Sequence, residues 1–292
     1  MAESILHTYD LHSKAKALSI EEWIKLVAES AEKPVQLGEH RLSTFPSASM
    51  QEAFVGRSGS EGMLGASQFY RHVIQMIEAH GTPGTQRMLD FGTGWGRFVR
   101  FFVRDFPDDA LFGVDPMPLA IGTCREHIPY ATFMLTNRFP PLPFRDGFFS
   151  AIAGFSVFSH LSELFAQQWI IELARVLRPG GLLIATTQAR FFIDQCEGFA
   201  NGTIPSTSTW HNGLAQSWLG KTPNEARAAY DRGEFIYAST GGAIDPSGQL
   251  YGEALVPEKY AQTIWGRTLE LVDFTMESSK FGQACFVLRK QA

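Results

Sequence analysis

The 292-residue chain predicts an α/β fold built on a largely parallel sheet, with a ligand at the carboxyl ends of its strands. Three observations lead there. Short apolar runs recur at Met88–Phe91, Ala110–Asp115, Ala131–Thr136, Phe148–Phe155 and Leu182–Ile184. They are too short for helices and too apolar for loops, and helical spacing separates most of them. Gly92, Gly94 and Gly96 follow the first run at alternate positions. A backbone that turns sharply there and lets a ligand touch it with no Cβ between needs glycine.

Composition bounds the function. Apolar residues make up 45% of the chain and charged residues 19%, as in an ordinary globular protein of one large domain or two small ones. A net charge of -5 and a pI near 5.9 argue against a protein that lives on phosphate backbones, so no nucleic-acid partner is expected. Cys124, Cys196 and Cys285 are widely spaced without a C-x-x-C pair, which fits reduced thiols in a cytoplasmic chain. No run of about 18 apolar residues marks a membrane span. The opening MAESILHTYD lacks the basic and apolar regions of a secretory signal.

In chain order, Ser19 caps a helix over 20–30 whose Ile20, Trp23, Ile24, Val27 and Ala28 share one face. Residues 33–62, with Pro34, Pro46 and three glycines near their end, predict a connector of little regular structure. Within it, 54–60 is a candidate lid. A second helix is expected over 66–80, so residues 1–80 form a helical extension and 81–292 the main domain. After the glycine-rich turn, Phe98–Asp105 resumes helical spacing. Asp115 ends the second strand, 25 residues after Asp90, where an acid in nucleoside-binding folds accepts ribose hydroxyls. A helix follows Pro116, starting near Pro118. The fourth strand leads into Ser156-Val-Phe-Ser-His-Leu161, a helix, and Leu177-Arg-Pro-Gly-Gly181, a tight turn before the fifth strand. Residues 188–250 break the rhythm. They are too long for a simple connection, hence a substrate-covering insertion with a helix from Thr222 to Arg232. Leu269–Phe274 and Gln283–Lys290 make a closing hairpin.

Asp90-x-Gly92-x-Gly94-x-Gly96 is not the dinucleotide fingerprint, whose third glycine would fall on Arg97. With Asp115, Leu142-Pro-Phe144, S-V-F-S-H-L and L-R-P-G-G in order, it resembles the class I S-adenosylmethionine-dependent methyltransferases over roughly residues 85–187. The resemblance implies a Rossmann-like seven-stranded sheet with an antiparallel last strand and S-adenosylmethionine as cofactor. It implies cofactor contacts from Asp90, Gly92, Thr93, Gly94, Gly96, Asp115, Pro116 and Phe155. Asn137 or Arg138 stands where the family often has an acid for the adenine amino group, and Ser150 replaces a second acid.

Methyl transfer needs proximity and alignment more than protein acid–base groups. A hydroxyl acceptor adds the need for a base, and histidine titrates in the useful range. His160, after the fourth strand, and His211, in the insertion, are the candidates, and Tyr251 and Glu253 could orient a polar acceptor. A His160–Glu163 metal pair lacks further ligands nearby, so no metal is expected. The expected activity is O-methylation of a small-molecule or saccharide hydroxyl. The alternatives are a non-catalytic cofactor-binding protein and, disfavoured by Arg97, a nicotinamide-dependent oxidoreductase.

Overall fold

A computed structural model describes residues 11–84, 86–206, 211, 213–214, 221–239, 251–277 and 281–291. The chain divides into two compact units, one of Met1–Ile74 with Pro83–Thr136, the other of Gln75–Thr82 with Asn137–Ala292.

The first unit begins with helices α1 (Leu11–Lys16) and α2 (Ile20–Ser30). Ser19 closes a reciprocal capping box with Glu22, and α2 buries Trp23, Ile24, Val27 and Ala28 as its pattern predicts. The indole of Trp23 donates to the Phe101 carbonyl at 2.9 Å. Residues 33–62 are more regular than their composition suggests. They hold a two-stranded ribbon, β1 (Gln36–Leu37) with β2 (His40–Arg41), then α3 (Ala48–Val55) and the start of α4 (Gly59–His80). The residues that read as breakers are caps. Ser47 accepts the Met50 N–H, and Gly56, left-handed at φ 69°, ends α3.

Strand β3 (Met88–Phe91) is fully buried and pairs in parallel with β4 (Leu111–Asp115), which pairs in parallel with β5 (Thr132–Leu135). Only Val99–Phe102 is α-helical after the glycine-rich turn (α5). The chain then tightens, Arg104 and Asp105 bonding the carbonyls three residues back. The ligand-facing feature here is therefore the loop rather than a helix end. Between β4 and β5 runs α6 (Pro118–His127), with Pro118 in its first turn.

The second unit carries β6 (Phe149–Gly154), α7 (Glu163–Val176) and β7 (Leu177–Thr187), β6 and β7 in parallel. L-R-P-G-G is not a turn before the strand but its first residues. The register jumps from Phe149↔Leu177 to Ala151↔Leu182 to absorb them. Gly180, at φ 72°, donates to the Lys290 carbonyl, and Lys290 returns a bond to Gly181. A Cβ on Gly180 would meet Thr82 Oγ1 at 2.0 Å. The insertion contributes α8 (Phe191–Asn201), α9 (Pro223–Arg232) and β8 (Ile236–Ala238), which pairs antiparallel with β9 (Glu253–Leu255). Thr222 caps α9 in a second capping box, as its sequence predicts. Phe192, Ile193, Cys196, Ala226, Ala229, Tyr230 and Ile236 give this segment its own apolar core. Beyond α10 (Glu258–Thr263), β10 (Glu270–Thr275) and β11 (Ala284–Arg289) form the closing hairpin, β11 antiparallel to β7.

The strand order of the main sheet is β10-β11-β7-β6-β3-β4-β5. This is the Rossmann-like, seven-stranded arrangement expected, with antiparallel pairing confined to β10 and β11.

Candidate active site

In the first unit the glycine-rich loop is held from two sides. The N–H groups of Gly92 and Thr93 both donate to the Val114 carbonyl, at 2.9 and 3.0 Å, pinning the loop to the end of β4. Gly92, Gly94 and Gly96 adopt φ of 75°, 54° and 80°, where a side chain is strained. A Cβ on Gly96 would also fall 2.4 Å from Ile128 Cδ1. At Gly94 the close neighbour is Phe54, whose ring would lie 3.4 Å from an added Cβ. The candidate lid thus begins, in α3, against the loop.

Asp115 joins loop and strand. Its Oδ2 accepts the Gly94 N–H at 3.0 Å and its Oδ1 the Met117 N–H at 2.9 Å. Each oxygen keeps a second lone pair, so the carboxylate can also serve a pair of hydroxyls. Burial raises its pKa, while the two backbone donors oppose that. Asp90, 1% exposed, accepts the Thr93 hydroxyl at 2.8 Å. Burial pushes its pKa to about 7 against the opposing pull of that bond and of the Arg97 charge. Burial likewise brings Arg97 down to about 10. Pro116 is exposed beyond β4.

The remaining cofactor candidates lie in the second unit. Asn137 and Arg138 are exposed in the turn after β5, and Phe155 is half-buried just past β6. Next to it the sequence reading missed Ser156, at φ 58° the one non-glycine residue of positive φ among those described. Such strain persists where surrounding bonds over-determine it, often at functional sites. Those bonds are present. The Ser156 N–H donates to Thr186 Oγ1 at 2.7 Å, and its hydroxyl meets Ser159 Oγ at 3.1 Å, Gln283 Nε2 at 3.1 Å and His160 Nε2 at 3.3 Å.

His160 is half-buried and held on three sides. Nδ1 lies 2.8 Å from the Gly252 carbonyl and 3.6 Å from Glu253 Oε1, and the Tyr251 ring stacks on the imidazole at 4.6 Å. A carbonyl only accepts, so Nδ1 carries the proton and Nε2 is the basic nitrogen, facing the Ser156 hydroxyl. Glu253, 1% exposed, accepts the Gln188 amide through its other oxygen at 2.8 Å. Nothing in the sequence pairs position 160 with 252 and 253. The β8–β9 pairing brings them together, along with bridging bonds from Gly252 N to His160 O and Ala254 N to Ser159 O. His211 belongs to another group, stacked on Phe199 at 4.2 Å. Glu163 points elsewhere too, accepting the Tyr260 hydroxyl at 2.6 Å.

Residues 88–181, from β3 into β7, match the family model described as a methyltransferase domain. This segment is a methyltransferase domain of Rossmann-like fold. Two curated relatives are similar to the chain. One is an uncharacterised methyltransferase of Synechocystis, 25% identical over 130 residues, 44% of this chain and 58% of that protein. The other is a fatty-acid O-methyltransferase of Mycolicibacterium smegmatis, 30% identical over 132 residues, 44% of this chain and 46% of that protein. The chain thus spans about half the length of the curated relatives it matches. Among solved structures, the magnesium protoporphyrin IX methyltransferase of Synechocystis aligns with TM-score 0.48 and 14% identity, over 78% of this chain and 85% of that one. Among the described residues, no helix is long and apolar enough to cross a membrane.

Proposed function

We propose that the protein is an S-adenosylmethionine-dependent methyltransferase acting on an oxygen of a small-molecule or saccharide acceptor. The observation that carries the cofactor is the loop of Gly92, Gly94 and Gly96 locked to Asp115 by the Gly94 N–H, inside the segment matched by the methyltransferase family model. The residues fit the cofactor: bare backbone at three positions for close approach, and a carboxylate with spare lone pairs for ribose hydroxyls. When bound, the cofactor supplies an activated methyl group on a sulfonium. Asp90, Thr93 and Asp115 hold the loop's shape, and Phe54 in α3 supports it at Gly94. Asn137, Arg138, Pro116 and Phe155 are proposed as outer cofactor contacts.

For a hydroxyl acceptor His160 takes the proton on Nε2. The Gly252 carbonyl and Glu253 stabilise the imidazolium that results, as an oriented carboxylate does in general base catalysis. His211 then has no part in proton transfer, and the insertion covers the acceptor. A carboxylate acceptor is the second reading, favoured by the printed activity of the Mycolicibacterium relative. A carboxylate is already deprotonated near neutral pH and asks for no base.

Calorimetric titration with S-adenosylmethionine, S-adenosylhomocysteine and NAD tests the cofactor. Binding of the first two and not the third is expected, and binding of neither sulfur compound overturns the proposal. Once an acceptor is in hand, His160→Ala separates the two oxygens. General base catalysis is worth about 10²–10⁴-fold, so a hydroxyl acceptor loses that much rate with cofactor affinity kept. An unchanged rate assigns the acceptor to the carboxylate class.

A further inference from the structure

Arg100, on α5 just past the glycine-rich loop, is 1% exposed and has no carboxylate within ion-pair distance among the described residues. Its Nη1 is spent, donating to Ser43 Oγ at 2.7 Å and to the Thr44 carbonyl at 2.8 Å. Nε and Nη2 have no hydrogen-bond partner, and neither does the indole Nε1 of Trp95, itself 2% exposed. Two aromatic rings flank the guanidinium, Phe45 with its centroid 4.1 Å from Cζ and Trp95 at 5.4 Å. Burial brings the Arg100 pKa down to about 10, so the group remains a cation at neutral pH. The titratable groups facing it, the Cys124 thiol and the Tyr130 phenol, are neutral there. A buried cation without a counter-charge is costly, and orphaned N–H groups add to that cost.

The orphans are not scattered. Nε and Nη2 share one edge of the guanidinium and send out two parallel N–H bonds, the fork that grips both oxygens of one carboxylate. We propose that the Nε–Nη2 edge of Arg100, together with the Trp95 indole N–H, is a binding site for a carboxylate. The surroundings favour a monoanion over a phosphate: one cation, one neutral donor and two aromatic rings offer no second positive charge. Phe45 lies over the guanidinium and the Ser43–Thr44 backbone is tied to it, so the ligand enters by displacing residues 43–45. Two sources carry this chemistry, the amino-acid end of the proposed cofactor and an acceptor bearing an acid group. The first rests on the cofactor reading and the second does not.

The experiment titrates wild type, Arg100→Lys and Trp95→Phe with S-adenosylhomocysteine, 5′-methylthioadenosine (the same nucleoside without a carboxylate), dodecanoate and methyl dodecanoate. Circular dichroism confirms folding. Trp95→Phe keeps the cation and its ties to Ser43 and Thr44, and so preserves a readable variant if the lysine protein does not fold. A bidentate charged contact predicts a loss of about tenfold or more for a carboxylate ligand and none for its uncharged counterpart. Loss confined to S-adenosylhomocysteine assigns the site to the cofactor, and loss confined to dodecanoate assigns it to the acceptor. If wild type binds neither nucleoside, the cofactor reading fails and the dodecanoate pair alone decides. Affinities that do not respond to either substitution, or a wild type that binds no carboxylate, overturn the proposal and leave Arg100 as a tie between α5 and the segment at 43–45.

Discussion

Asp90 offers a sharp test of the electrostatics beneath the loop. Its carboxyl is 1% exposed, and burial lifts its pKa from the ordinary 3.8 to about 7. A folded-state pKa above the unfolded one means that the folded chain holds its proton more tightly. The associated stability is fully present below about pH 4 and is lost as pH rises toward 7. At about 1.4 kcal/mol per pH unit, the loss is about 1–2 kcal/mol at pH 5 and about 4 kcal/mol at pH 8. Asp90→Asn removes the ionisation while its amide oxygen can still accept the Thr93 hydroxyl, which donates in the native chain. Denaturant unfolding of both proteins at pH 5 and pH 8 should show a variant more stable at both, with the gap widening by about 2–3 kcal/mol at the higher pH. A gap independent of pH refutes the reasoning. So does a less stable variant at pH 8, which would mean that Arg97 attraction outweighs burial and the folded carboxyl is ionised.

Three further outcomes follow from the same geometry. Gly96→Ala forces a Cβ to 2.4 Å from Ile128 at a left-handed φ, which should cost about 1–3 kcal/mol in unfolding measurements. An unchanged melting temperature contradicts the packing described. Asp115→Ala removes the acceptor for Gly94 and Met117 and any ribose bonds. S-adenosylhomocysteine affinity should fall by about 10- to 100-fold for each charged bond lost, and an unmoved affinity in calorimetry removes the ribose role. Gly252→Ala places a Cβ 2.1 Å from the Ala238 carbonyl, displacing the carbonyl that fixes His160 in its tautomer. With a hydroxyl acceptor, the pH-rate profile should shift while cofactor affinity stays. An unmoved profile would show that this carbonyl does not set the basicity of Nε2.

What the sequence made legible follows the range of the forces involved. The strands, the capping boxes at Ser19 and Thr222 and the closing hairpin depend on neighbours a few residues apart, and each forms where its pattern predicts. The two misread stretches share a cause. Around Ser47 and Gly56, polar and glycine residues terminate helices instead of preventing them. In L-R-P-G-G, the proline and glycines sit in a register shift that only pairing with β6 and β11 can reveal. Residues read as punctuation were right about irregularity and silent about its extent.

The site divides along the same line. Asp90, the glycines and Asp115 lie within 26 positions of one another and announced themselves by spacing. His160 was visible as a residue, but its chemistry is not local. The proton on Nδ1 is fixed by a carbonyl 92 positions away, and the acid behind it is oriented by Gln188, 65 positions from it. Ser156 gave no signal, because a left-handed φ on serine is imposed by Thr186 and Gln283 rather than encoded at the residue. Arg100 was hidden for the opposite reason. On a sequence it reads as one more basic residue on a helix, and only burial without a counter-charge turns it into a question. Cofactor recognition here rests on local backbone geometry, whereas proton transfer and anion recognition rest on long-range closure. For that reason the acceptor is the part that substitutions at His160, Gly252 and Arg100 have to identify.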